Sequence, residues 1–253
     1  WVISTIEHIG QIGKKNRGVT RLAFTSEEIE ARNYVSNILQ EIGLTVRLDQ
    51  FGNAIARLEG VDPNAPVVIT GSHLDTVPEG GKYDGVVGVV GGIAALNRLK
   101  QRGPLTHPVE LVVYAAEESS RFGFATMGSK AMAGLAKITA WTKACDQEGT
   151  LFPQALAEKG FDLAKVDKAS RAEEPIKAFI ELHIEQGPIL EKNGMTIGIV
   201  RAIAAPTRLK ITVEGVPAHS GTTPMEERQD ALVSAAMIVL AVEEIALEQS
   251  HRG

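Results

Sequence analysis

Two histidines and four carboxylates carry the chemistry that this sequence offers: His73, Asp75, Asp84, Glu117, Glu118 and His183. His73 lies in Gly71-Ser72-His73-Leu74-Asp75-Thr76-Val77, just past a short apolar run. Glu117 and Glu118 follow a second such run, and His183 ends a third. Asp84 stands eleven positions after His73, at the mouth of a glycine-rich segment. Imidazoles mixed with carboxylates suit a borderline divalent cation, Zn²⁺ first, with Mn²⁺, Co²⁺ or Ni²⁺ as alternatives. Asp75, two residues from His73, is placed to accept the other imidazole N–H and so fix the tautomer. A carboxylate can bridge two metals, and Asp84 is the candidate. The neighbouring carboxylates of Glu117 and Glu118 would repel if both were buried without ligands. A metal on one and a water proton for the other resolves that conflict. Taken singly, each residue has a blander reading. A histidine after a strand is usually satisfied structurally, Asp84-Gly85 is a turn, and Glu117-Glu118 is a solvated helix start. Three strand ends that all carry ligand-type residues are what favours a metal site.

The elements that must position these groups follow from patterning. Thr25-Ser26-Glu27-Glu28 reads as a helix start, with Ile29, Val35, Ile38, Leu39 and Ile42 as its apolar face and Gly43 as its end. Leu44–Leu48 and Ala54–Leu58 alternate around Phe51-Gly52-Asn53, which predicts a hairpin. Pro66–Thr70, Val109–Tyr114 and Ala178–Leu182 are buried-type strands. Helices are predicted over Gly85–Lys100 and near Ser129–Leu135. Strands separated by helices indicate an α/β class with a mixed, largely parallel sheet and flanking helices. In such sheets, sites form outside the carboxyl ends of the strands, where distant residues converge. The glycines at 85, 88, 91 and 92 do not match GxGxxG, so they read as packing positions and not as a dinucleotide loop.

After Ala204-Ala205-Pro206 the pattern changes. Arg208–Glu214 alternates strictly, as a half-exposed strand does, and Thr223-Pro224-Met225-Glu226 offers a helix N-terminus. Leu232, Ala235, Ala236, Val239 and Leu240 give that helix one apolar side. The boundary expected is a metal-binding domain over 1–206 and a second domain over 207–253. One strand and one helix cannot make an independent core, so the second domain is expected to be incomplete.

Composition excludes other classes. The 253 residues carry 26 basic and 31 acidic side chains, a net charge of -5, with no block of Lys and Arg. No nucleic-acid partner is therefore expected. The longest apolar stretches, Gly85–Leu96 and Ala231–Val242, fall well short of the roughly 20 residues that a bilayer needs, so no membrane partner is expected either. One cysteine rules out an internal disulfide and fits a reducing, cytoplasmic location. A start at Trp1 is compatible with a signal peptide already removed. His8, His107, His251 and Cys145 have no nameable partners and read as structural or surface residues.

The motifs GSHLDTVPEGGKYDG (71–85), AAEESSRFG (115–123), ELHIEQGP (181–188) and GVPAHSGTTPM (215–225) resemble the hydantoinase/carbamoylase group of M20-type metallo-amidohydrolases. That group includes N-carbamoyl-L-amino-acid hydrolases, allantoate amidohydrolases and β-ureidopropionases. The likeness runs from about Gly18 to Glu243, with the motifs in the family's order. It implies a zinc-exopeptidase-like catalytic domain with an inserted α+β lid and dimerisation domain, hence a homodimer. It also implies two divalent metal ions per subunit. His73, Asp84 and His183 would hold one, and Asp84 with Glu118 the other. Glu117 would be the general base. Gln186 matches the position that contacts the ureido group, and His219 the lid histidine that binds substrate and polarises its carbonyl. The implied reaction is attack of a metal-activated water on the ureido carbonyl of an N-carbamoyl amino acid. One departure stands out. Family members run longer, and supply a last histidine to the second metal and a lid asparagine and arginine to the substrate carboxylate. After His219 this sequence offers only His251, beside the lid helix. Two other readings follow: an M20 peptidase or N-acyl-amino-acid deacylase, or a truncated metal-binding partner that dimerises without catalysis.

Overall fold

The computed structural model describes residues 1–204, 207 and 209–250, the last without its side chain. The chain divides into two units, Trp1–Gly194 and Met195–Gly253. In the first, α1 (Val2–Ile9) buries Thr5, Ile6 and Ile9. Thr25 caps α2 (Ser26–Glu41) as expected: its backbone is extended and its hydroxyl accepts the Glu28 N–H. Glu27 and Glu28 lie in the first turn, where the helix dipole favours acids. Gly43, at φ +75°, takes the chain out of the helix. β1 (Val46–Leu48) and β2 (Ala54–Leu58) then form the predicted hairpin, with Val46 opposite Ala56.

β3 (Val67–His73), α3 (Val86–Arg102) and β4 (Val109–Tyr114) make a parallel crossover unit. Four short helical segments follow, α4 (Met127–Met132), α5 (Ile138–Trp141), α6 (Phe152–Ala157) and a 3₁₀ turn at Leu163–Ala169. β5 (Ile176–Ile180) and the single-turn α7 (Ile189–Lys192) end the unit. The sheet order is β1-β2-β4-β3-β5. β3 runs parallel to both β4 and β5, whereas β2 is antiparallel to both β1 and β4. The unit is thus an α/β fold built on one mixed sheet with flanking helices, and the parallel trio carries the site residues at its carboxyl ends.

α3 packs closely enough to fix that trio. It buries Val86, Val89, Val90, Ile93 and Leu96 against the sheet, each contributing about 1.5–3 kcal/mol. A Cβ added at Gly88 would lie 2.4 Å from the Leu182 carbonyl oxygen, and one at Gly92 2.5 Å from Leu111 Cδ1. These glycines serve packing. A second core lies under the short helices, where Phe24, Phe51, Phe122, Trp141 and Phe152 pack edge to face or stacked. No periodicity in the sequence announces it.

The second unit departs from expectation in two places. Residues 209–214 form no strand, since backbone N–H and C=O groups need a neighbouring strand and no described residue of this unit supplies one. Arg208, the first residue of the predicted strand, lies outside the described residues, as do Ala205, Pro206 and His251. The long helix, α8 (Ala231–Ser250), starts seven residues later than Pro224. Thr223-Pro224 instead leads into a 3₁₀ turn at Met225–Glu227, without a side-chain cap. The working cap is Asp230, whose carboxylate accepts the N–H groups of Leu232 and Val233. No described helix is long and apolar enough to cross a membrane.

Candidate metal centre

His73 is the last residue of β3, in register with Tyr114 at the end of β4, so the chain leaving β4 delivers Glu117 and Glu118 beside it. β5 ends at Ile180, and Ser72 Oγ donates to Glu181 Oε1 at 2.7 Å, tying the segment that carries His183 to β3. Asp84 precedes α3 at Gly85, whose φ is +66°. A Cβ there would lie 2.4 Å from the His73 carbonyl oxygen and 2.7 Å from the imidazole ring, so only glycine lets the turn press on His73. The two imidazoles stack with centroids 6.1 Å apart.

Hydrogen bonds fix both tautomers. His73 Nδ1 faces the Asp75 carbonyl oxygen at 2.9 Å, and His183 Nδ1 faces the Ile184 carbonyl oxygen at 2.9 Å. A carbonyl only accepts, so each Nδ1 carries the proton and each Nε2 presents a lone pair. Those lone pairs converge on Asp84 Oδ1, at 3.7 Å from His73 and 3.2 Å from His183. Asp84 Oδ1 is buried and has no hydrogen-bond partner. Three acceptors facing one another with nothing donated between them is a donor set for a cation. His73 also meets Glu117 Oε2 at 3.7 Å, and forms a second candidate ligand group with Glu117 and Glu118.

Asp75 braces the site in an unforeseen way. Its main-chain carbonyl accepts the His73 Nδ1–H, while its carboxylate Oδ1 stands 3.8 Å from the ring nitrogen. The two carboxylate oxygens accept the backbone N–H groups of Glu117 and Glu118, at 3.2 and 2.9 Å. Burial pushes the Asp75 carboxyl up to about 7, against the pull of His73 and these amides. For His73, burial disfavours the charged ring, but Asp75, Glu117 and Glu118 outweigh it and hold its pKa above the ordinary value. Burial raises the Glu118 carboxyl, and repulsion from Glu117 and Asp84 adds to the rise.

Gln186 donates from Nε2 to Asp84 Oδ2 at 2.7 Å, from a left-handed backbone at φ +57°. His219 lies in the second unit. Its Nδ1 accepts the Gly221 N–H at 3.1 Å, so the neutral ring carries its proton on Nε2, opposite to His73 and His183. A cavity of about 370 Å³ opens beside the cluster, lined by Ser72, Tyr114, Thr126, Ser129 and Glu181 among others. Ser72 and Glu181 are site-shaping residues that spacing alone did not mark. They flank the two histidines in their motifs, which is the signal that could have found them.

The carboxyl ends of the parallel strands and the turn before α3 thus bring together two ligand groups that share His73, one with Asp84 and His183 and one with Glu117 and Glu118, and these define a candidate metal centre. Residues 69–251 match Peptidase family M20/M25/M40, and the chain belongs to that family. It is 42% identical over 240 residues to an N-carbamoyl-L-amino acid amidohydrolase of Geobacillus stearothermophilus, covering 94% of this chain and 58% of that protein. It is 43% identical over 236 residues to a ureidoglycolate hydrolase of Arabidopsis thaliana, covering 91% of this chain and 50% of that one. Among solved structures, a hydantoinase/carbamoylase family amidase from Burkholderia ambifaria superposes with a TM-score of 0.74 at 35% identity, covering 98% of this chain and 60% of that one. The chain thus spans 50% to 60% of the length of these relatives.

Proposed function

We propose that this chain holds the metal centre and general base of an amidohydrolase that cleaves a linear ureido C–N bond, N-carbamoyl-L-amino acids being the first substrate class. The observation that carries the proposal is the convergence of His73 Nε2, His183 Nε2 and the unpartnered Asp84 Oδ1. These residues would hold one divalent cation. Asp84 and Glu118 would hold a second, with the Gln186 amide donating to Asp84 Oδ2 beside them. Gln186, placed beside Asp84, would contact the ureido group of the substrate. Cations held there would supply Lewis acidity toward water and the substrate carbonyl.

The remaining chemistry belongs to the chain. Glu117 Oε2 faces the same space as His73 Nε2, is only partly buried, and would take a proton from the attacking water and return it to the departing nitrogen. His219, with its proton on Nε2, would donate to the developing oxyanion. The second unit would provide the lid and dimerisation surface. The test is product analysis of the purified protein loaded with Zn²⁺, Mn²⁺, Co²⁺ or Ni²⁺. Release of ammonia from an N-carbamoyl-L-amino acid, with no carboxylic acid freed from the N-acetyl analogue, is the expected result. The reverse preference would make it a deacylase, and neither product would favour a metal-binding partner without catalysis.

A further inference from the structure

We infer that Asn53, at the foot of the β1–β2 hairpin, is a positioning residue for the Glu117–Glu118 pair. The inference rests on the reading of those carboxylates as site groups.

Asn53 is completely buried and lies far from any ligand in sequence. The β2–β4 ladder ends at the pair Ala54 and Val113, which leaves the Ala115 N–H with no strand partner just where the chain turns toward Glu117. Asn53 Oδ1 accepts that N–H at 2.9 Å. Its Nδ2 donates to Asp49 Oδ2 at 2.7 Å and to the Gly128 carbonyl at 3.1 Å. One acceptor and two donors are all engaged, and the partners fix which way the amide points. Aspartate lacks the donors, and leucine lacks both functions.

Asp49 is immobilised in turn. Its Oδ1 accepts the N–H groups of Phe51, Gly52 and Asn53, each at 2.9 Å. On the other side, Ala115 and Ala116 offer their carbonyls to the N–H groups of Gly128 and Met127. Ala116 is held at φ +51° and Thr126 at φ +56°, left-handed conformations that L-residues adopt only when their surroundings impose them. A Cβ at Gly128 would lie 2.2 Å from Asn53 Oδ1, so helix α4 can approach only because that position is glycine. The turn bearing Glu117 and Glu118 is therefore clamped from two sides. Asp75 holds its amides from the β3 end, and Asn53 holds its departure point from the hairpin.

The test is residue-resolved amide hydrogen exchange on the full chain and on Asn53→Leu, Asn53→Asp and the double variant Asp49→Asn/Asn53→Asp. Losing the two donated bonds in Asn53→Asp, or all three in Asn53→Leu, should raise exchange at least about tenfold at Ala115, Glu117 and Glu118. Val112 and Val113, inside β4, should stay close to parent. The double variant restores an amide–carboxylate pair with an acceptor left for Ala115, and should recover protection at that residue. Gly128→Ala, which presses on Asn53 from the opposite side, should reproduce the local loss should Asn53→Leu fail to fold. Uniform acceleration along β4, no change at residues 115–118, or a double variant no better than Asn53→Asp would each overturn the inference. A finding that Glu117→Gln keeps full turnover would sink the base assignment while leaving this exchange pattern intact, so the two failures are distinct.

Discussion

Glu117→Gln is expected to lower turnover by about 10²–10⁴-fold, the usual contribution of a general base, while metal content stays at the parent level. The substitution keeps side-chain size and one acceptor oxygen, but the amide cannot take a proton. Its backbone N–H bond to Asp75 Oδ1 does not depend on the side chain, so the turn should keep its shape. Glu118→Gln is the matching control. It should weaken metal binding, because Glu118 is assigned to the second cation. Should Glu117→Gln strip metal while Glu118→Gln leaves it bound, the two roles are reversed.

The second large effect is expected at His219. His219→Ala should retain metal and lose about 10²–10³ in turnover, the cost of removing one oxyanion donor. The argument is tautomeric. With Nδ1 accepting from Gly221, the neutral ring has only Nε2–H to give, which suits a donor to substrate and not a metal ligand. Turnover and metal content measured on the same preparations separate the two roles. Loss of metal in His219→Ala would reassign this histidine to the metal.

Much of the architecture was legible because its signals are local. β3 and β4 are largely apolar, buried runs, and Thr25, Gly43 and Gly85 mark element ends by local backbone chemistry. β5 corrects the expectation: it runs over Ile176–Ile180, two residues earlier than Ala178–Leu182, and is mostly exposed, because β3 is the one strand it pairs with among the described residues. His73, Glu117, Glu118 and His183 could be proposed as one group because the carboxyl ends of neighbouring parallel strands lie side by side, and Asp84 because it opens the glycine-rich helix that packs on them. The failures were those where a local signal needed a distant partner. Residues 209–214 alternate well, but alternation without a neighbouring strand makes no ladder. Thr223-Pro224 has the composition of a helix start, yet Asp230, nearer the first buried-type repeat, supplies the cap. The ring cluster around Trp141 and Phe152 is assembled from short helices too brief to show a period. Asn53 to Ala115 and Ser72 to Glu181 are side-chain bonds across 62 and 109 positions, and no spacing rule points to them.

The central claim is that His73, Asp84 and His183 hold a divalent cation, and metal analysis of dialysed protein tests it most directly. Parent protein equilibrated with Zn²⁺ and dialysed should retain metal in stoichiometric amount, whereas His73→Ala and Asp84→Ala should each retain far less. The removed group is in both cases one of the acceptors that converge with no donor between them. Unchanged stoichiometry in both variants, with the fold intact by circular dichroism, would contradict the account.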